Sequence, residues 1–305
     1  MIEIGVMHRP VMLQEVVAWL QPRAGGIYLD GTIGAGGHSL AILEASGPDG
    51  RIVGLDRDAT AVATARQALL PYGDRAVIVQ AAYGDALRVV REATERNLDG
   101  ALLDLGVSSL QLGTPARGFS FLADGPLDMR MDVRDSVTAA DLVNRLPEKE
   151  LARILEEHGE ERYARRIAKG IVRRRAQSPI LTTLALVEVI RETVPPAYLH
   201  GRLHFATRTF QALRIAVNHE LESLEPALRQ IAALLLPGGR LGVLAFHSLE
   251  DRIVKQTFRA LAQGPATGFT VLTKRPITPS PQECVENPRA RSAKLRVLAA
   301  GEAAA

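Results

Sequence analysis

The chain has 305 residues, 47% of them hydrophobic, with 37 Lys and Arg against 34 Asp and Glu for a formal charge of +3. That length can bury the core of one large domain or two smaller ones, while a single cysteine, Cys284, excludes an internal disulfide framework and a cysteine-built zinc cluster. No apolar run is long enough to span a bilayer and the N-terminal residues lack the basic-then-apolar order of a secretory signal, so a cytoplasmic protein without membrane contact is expected.

In chain order the pattern alternates between helix and strand. Residues 11–20 read as a short helix with Leu13, Val16, Val17 and Leu20 inward. Residues 27–30 form a first strand, followed by a glycine-dense turn and a helix over 37–45. A second strand spans 51–56, and Asp58 caps a helix to about residue 70. Residues 76–80 are a third strand with Tyr83 at its exit; a helix runs on to about Arg96. Residues 100–104 are an apolar strand ending in Asp104, the composition of a parallel strand covered on both faces. Residues 105–121 and 124–132 then read as loops, and 139–213 as helices broken at Pro147, Pro179 and Pro195-Pro196. A helix over 218–235 leads into a strand at 236–246. An antiparallel pair, 269–274 with 295–299, is joined by a Pro-rich loop holding Cys284, and the tail from Ala300 to Ala305 is expected to be disordered. The fold class is therefore α/β: a Rossmann-like doubly wound sheet built from residues 1–112 and 216–305, with a helical domain over 113–215 inserted into it.

The segment Asp30-Gly-Thr-Ile-Gly-Ala-Gly-Gly-His38, with Asp56 closing the next strand, is the layout that holds a nucleoside-bearing cofactor. Gly31, Gly34, Gly36 and Gly37 let the backbone take positive φ and approach a ligand closely, and Asp56 can accept from both ribose hydroxyls. An acidic residue opening the loop suits the cationic head of S-adenosylmethionine better than the anionic pyrophosphate of NAD, which stays as the alternative. In an open α/β sheet the ligand lies outside the carboxyl ends of the strands. Those ends carry Asp30, Asp56, Tyr83, Asp104 and Phe246-His247-Ser248. Tyr83 is either an adenine platform or an ordinary loop aromatic, and His247 either a base or a structural histidine.

Charge is concentrated rather than spread. Arg162, Arg165, Arg166, Lys169, Arg173, Arg174 and Arg175 lie on one stretch with Ile167, Ile171 and Val172 behind them, an amphipathic helix with a basic outer face. It is either a nucleic-acid contact or a solvated face partly neutralised by Glu156, Glu157, Glu160 and Glu161. His200-Gly-Arg202-Leu-His204-Phe-Ala-Thr-Arg208 offers a second set of phosphate donors. The inserted domain is thus expected to dock RNA, or else to pair with a second copy as a homodimer.

Seven blocks together resemble the MraW (RsmH) family of bacterial 16S ribosomal RNA cytosine-N4 methyltransferases. They are the glycine loop 30–38, Asp104-Leu-Gly-Val-Ser-Ser109, Gly118-Phe-Ser-Phe121, Asp124-Gly-Pro-Leu-Asp-Met-Arg-Met-Asp132, Ala206-Thr-Arg-Thr-Phe-Gln-Ala-Leu-Arg-Ile215, Phe246-His-Ser-Leu-Glu-Asp-Arg-Ile-Val-Lys255 and Asn287-Pro-Arg-Ala-Arg-Ser292. The match runs in order from His8-Arg-Pro-Val-Met12 nearly to the C-terminus. The resemblance implies a class I methyltransferase fold, S-adenosylmethionine as cofactor, and methylation of a cytosine in the decoding region of 16S rRNA within the small subunit. It also implies cofactor contacts at Gly36, Gly37, His38, Asp56, Tyr83, Asp104 and Gln111. Tyr83 stands where members commonly carry Phe, and Leu110 where Pro is common.

The residue types suit that chemistry. The loop after the fourth strand holds Asp104, Ser108 and Ser109 but not the cysteine that C5 methylation of a base would need. Methylation of an exocyclic amine needs an acceptor for N4–H and alignment for in-line transfer, so Asp104, Ser108, Ser109 and His247 are the catalytic candidates, positioning is expected to dominate, and no metal is called for. The [DNS]-P-P-[YF] sequence of DNA amino-methyltransferases is absent, which leaves Phe119, Phe121 or residues 128–131 to clamp the base. A NAD-linked oxidoreductase and a non-catalytic ribosome-assembly factor are the competing readings.

Overall fold

A computed structural model describes residues 10–263 and 268–301, which divide into a sheet unit (described residues up to Gly106 and from Leu221 onward) and a helical unit (Val107–Glu220). His8 and Arg9, where the family match begins, and residues 302–305 of the expected tail lie outside the described residues.

The sheet unit has seven strands: β1 Ile27–Asp30, β2 Arg51–Asp56, β3 Ala76–Gln80, β4 Leu98–Asp104, β5 Leu235–Ala245, β6 Phe269–Val271 and β7 Lys294–Ala300. Their order is β3-β2-β1-β4-β5-β7-β6. The first five are parallel, and β7 runs antiparallel to both β5 and β6. The chain steps outward from β1 to β3 and then returns to the other side of β1 with β4, so a ligand crevice is expected at the carboxyl ends of β1 and β4. Register sets the geometry there. Asp30 pairs with Gly54 and Leu102, so Asp56 and Asp104 each project two residues beyond it.

The strands are apolar throughout because both faces are covered. Leu29, Val53, Leu55 and Leu103 join one buried cluster, whereas Tyr28, Ile52 and Leu102 join the cluster on the opposite face. Helices Gly37–Ala45, Ala59–Leu69, Ala86–Ala93, Glu220–Ala233 and Ser248–Leu261 belong to this unit. Asp58 caps the second of these by accepting from the Thr60 N–H at 2.9 Å.

The helical unit contains Ala139–Arg145, Glu148–Gly159, Ala164–Arg175, Thr183–Thr193 and Thr207–Asn218 around their own core, in which Leu151, Leu155, Ile167, Ile171, Ile190 and Leu213 are fully buried. This unit is wider than the 113–215 expected from sequence, since Val107 and Leu112 at one end and Ala216 and Val217 at the other pack on that core.

Local structure departs from expectation in several places. Residues 105–121, expected as loop, contain the short helix Ser109–Gly113 and a 3-10 turn at Pro115–Arg117. The helix after β3 stops at Ala93 rather than near Arg96. His219, at φ 50°, ends one helix before Glu220 opens the next, so the helix expected at 218–235 spans Glu220–Ala233. The Pro-rich segment after β6 also folds: Pro281–Glu286 is a short helix carrying Cys284, and Glu283 Oε1 accepts from the Met12 N–H at 2.7 Å. Among the described residues no helix is long and apolar enough to cross a membrane.

Candidate active site

Three carboxylates project from the carboxyl ends of β1, β2 and β4. Asp30 is buried; its Oδ2 accepts from Ser39 Oγ at 2.7 Å and its Oδ1 from the Thr32 N–H at 3.2 Å. Burial lifts its pKa to about 6, outweighing the Ser39 hydrogen bond. Asp56 takes the Gly34 N–H on Oδ2 (3.0 Å) and the Asp58 N–H on Oδ1 (2.9 Å), and burial raises its pKa as well. Each carboxylate oxygen has capacity for a further hydrogen bond, so Asp56 can still accept from a ribose diol.

Asp104 is the least satisfied of the three. Its backbone N–H donates to Thr32 Oγ1 at 2.6 Å and its Oδ2 lies 3.5 Å from His38 Nδ1, but its Oδ1 is buried with no hydrogen-bond partner among the described residues. Burial, with a smaller push from the charge of Glu250, raises its pKa to about 7. His38 fixes the proton count beside it. Its Nε2 lies 2.9 Å from the Val11 carbonyl, which can only accept, so Nε2 carries the proton. Burial lowers the pKa of this ring, against an opposing pull from the charge of Asp30, leaving Nδ1 as a lone pair facing Asp104.

The glycine loop meets two different needs. Gly36, at φ 88°, caps the helix Gly37–Ala45 in a conformation that other residues adopt at a cost. Gly37 has no such φ; a Cβ there would lie 2.4 Å from Pro10 Cγ, so its close approach is to the protein's own chain. Tyr83 opens a 3-10 turn after β3, packs on the sheet core and reaches Ser223 Oγ at 3.1 Å with its hydroxyl.

His247 is the N-cap of helix Ser248–Leu261. Its Nδ1 accepts from the Glu250 N–H at 3.4 Å, while Glu250 Oε2 accepts from the N–H groups of Phe246 (2.8 Å) and His247 (3.4 Å), a capping box with histidine at the cap. His247 Nε2 lies 3.1 Å from Glu250 Oε1 but out of hydrogen-bond alignment. Glu250, 2% exposed, was not singled out from sequence, nor was Thr32. The available signal was the spacing His-x-x-Glu, a capping pattern hidden by the unusual cap residue.

The sheet unit therefore brings together Asp30, His38, Asp56, Asp104, His247 and Glu250. Ser108, Ser109 and Gln111 belong to the helical unit, where Ser108 Oγ accepts from the Gln111 N–H (3.2 Å) and Gln111 Oε1 accepts from the Ser108 N–H (2.9 Å). Of the candidate base clamps, Phe119 is buried beneath Arg117, whereas Phe121 is half-buried and stacks on His204 with centroids 4.6 Å apart.

Three carboxylates of raised pKa at neighbouring strand ends, one with a buried oxygen that has no hydrogen-bond partner among the described residues, suit a cationic ligand. S-adenosylmethionine fits: Asp56 would hold its ribose, the Gly36 turn would accommodate its body, and Asp30 and Asp104 would face its positive charges. Fold and site define an S-adenosylmethionine-dependent methyltransferase of the doubly wound class. The chain belongs to the MraW methylase family, whose model matches residues 5–300. It is 53% identical to a protein of Geobacter sulfurreducens and 50% identical to one of Syntrophotalea carbinolica, both called ribosomal RNA small subunit methyltransferase H; in each pair 95% of this chain and 97% of the relative are covered. An rRNA methylase structure from Streptococcus thermophilus aligns with TM-score 0.44 and 11% identity over 98% of this chain and 100% of that one; family membership stands without it.

Proposed function

We propose that this enzyme transfers a methyl group from S-adenosylmethionine to the exocyclic N4 of a cytosine in the decoding region of 16S ribosomal RNA. The observation that carries the reading is the Asp104 carboxyl at the end of β4, where a methyl acceptor is expected: its side chain is 25% exposed and burial raises its pKa to about 7. The names of the relatives support a ribosomal RNA substrate, and the signature blocks support cytosine N4.

The cytosine amine is a weak nucleophile because its lone pair is delocalised into the ring, and it must shed one N4–H proton as the N–C bond forms. When bound, the cofactor supplies an electrophilic methyl and leaves as a thioether holding the electron pair of the broken C–S bond. The Asp104 carboxylate accepts the N4–H hydrogen bond, which restores electron density to nitrogen, and then takes the proton. The proton stays on the Asp104 carboxyl, and His38 Nδ1, 3.5 Å from Asp104 Oδ2, offers a lone pair beside it while its Nε2–H stays on Val11. Positioning supplies the rest, because in-line alignment alone removes much of the entropic barrier. In this reading the helical unit docks the RNA, and His247 holds the β5 end in place through its cap.

The test is methyl transfer from labelled S-adenosylmethionine to small subunits purified from a strain lacking this enzyme, to naked 16S RNA and to DNA, followed by nucleoside digestion. Label is expected in N4-methylcytidine of 16S RNA. Label in a C5-methylated base or on DNA, or no label anywhere, overturns the proposal.

A further inference from the structure

Within the helical unit, the helix Ala164–Arg175 has two opposed faces. Ala164, Ile167, Ala168 and Ile171 are buried, while Arg165, Arg166, Lys169 and Arg173 are exposed. At 100° per residue those four cations fall within one stripe opposite the buried face, and from Arg165 to Arg173 it extends about 12 Å along the axis. None of the four makes an ion pair among the described residues. Two of the acids just upstream are engaged elsewhere. Glu157 is paired with Arg153 at 2.7 Å, and Glu161 is buried, accepting from the Tyr163 N–H (2.9 Å) and from Tyr198 Oη (3.0 Å). Arg175 and Arg208, by contrast, are committed to the carbonyls of Val143 and Glu160. Glu192 lies near the Arg173 end, lining a small cavity of about 140 Å³ with Arg173 and Arg174, so the stripe proper is bordered by a single acid there.

We propose that the Arg165–Arg166–Lys169–Arg173 stripe is a phosphate track that grips the backbone of the RNA substrate and sets its affinity without reading its sequence. Unpaired exposed cations in a row cost self-repulsion in the free protein, and a polyanion removes that cost. At about 3.4 Å of rise per nucleotide, the stripe spans roughly three phosphates of one strand. The guanidinium groups and the ammonium bind phosphate oxygens and release condensed counterions, the source of the salt dependence of such complexes. This inference rests on the rRNA reading above and adds where the substrate is held.

The test uses the full-length protein with all four cations changed to Gln, beside a control with Arg165→Lys, Arg166→Lys and Arg173→Lys. Fluorescence anisotropy measures affinity for a 16S RNA fragment between 50 and 200 mM salt, at the range where phosphate contacts dominate the slope. The Gln variant is expected to lose roughly three units of log–log salt slope and at least about tenfold in affinity. Its KM for RNA should rise by a similar factor at unchanged kcat, while the Lys control keeps the wild-type slope. Thermal melts verify that both variants are folded. An unchanged slope and KM in the Gln variant overturn the track, as does equal wild-type binding to vesicles of anionic lipid, which would make the stripe a general anion surface. The two proposals fail separately. If wild-type protein methylates 16S RNA while the slope ignores the stripe, only the track falls; if no methyl is transferred but the slope responds, only the function falls.

Discussion

Asp104 combines a raised pKa with a buried oxygen that has no hydrogen-bond partner among the described residues. Its carboxyl titrates near 7 in the free protein, so the anionic form grows as pH rises from 6 to 8. A sulfonium is attracted only to that form. The affinity for S-adenosylmethionine relative to S-adenosylhomocysteine, which lacks the charge, should therefore improve through this window by about tenfold, the equivalent of one pKa unit of coupling. Isothermal titration at both pH values measures it, and Asp104→Asn should flatten the dependence; a ratio that ignores pH in the wild type would remove Asp104 from the cation's vicinity. Asp30, Asp56 and Asp104 could be found from sequence because each ends an apolar strand, and a parallel sheet places strand ends side by side. His38 was singled out by the family resemblance. Its actual partners, the Val11 carbonyl and Asp104, come from distant segments and no local pattern announces them.

At the scale of the element, the helix Ser248–Leu261 links structure to site chemistry. Glu250 stabilises the helix start through the N–H groups of Phe246 and His247, and its charge also pushes Asp104 upward. Glu250→Gln keeps an acceptor oxygen for those N–H groups but removes the charge. The pH midpoint of the cofactor-selectivity profile should fall below that of the wild type, with melting temperature little changed. A midpoint that stays put would show that Glu250 acts only as a cap. Element boundaries explain where sequence reasoning succeeded. β1, β2 and β3 were located to the residue, since turn chemistry brackets short apolar runs. The helix Ser109–Gly113 was missed because its Gly- and Ser-rich surroundings look like loop; its Ser-x-x-Gln capping box was present all along. Gln111 was taken as a cofactor contact, and the structure adds a local role in that cap.

For the whole molecule, the buried acids reverse the usual pH trend. Asp30 and Asp104, with folded values of about 6 and about 7, hold protons in the folded state that the unfolded chain has already released. Their contribution is present at acid pH and is lost as pH rises from the unfolded carboxylate range through 6 and 7. Urea unfolding of the cofactor-free protein should show lower stability at pH 7.5 than at pH 5, by on the order of 1–3 kcal/mol. Added S-adenosylmethionine should restore more stability at the higher pH, where the carboxylates are ionised. A free protein equally stable at both pH values would mean that these carboxyls are not protonated when folded.

The split of the sheet unit along the chain also has a consequence for how the protein is made. β4 is buried on both faces and bonds to β5 along one edge, yet residues 105–234 separate the two strands. During synthesis the β4 edge, with Leu102 and Leu103, emerges from the ribosome long before its neighbour exists. The helical unit is contiguous and can complete its own core in that interval. Translation thus leaves half a sheet waiting with an open, sticky margin. A nascent chain stalled after residue 220 would carry a finished insert beside an unfinished host.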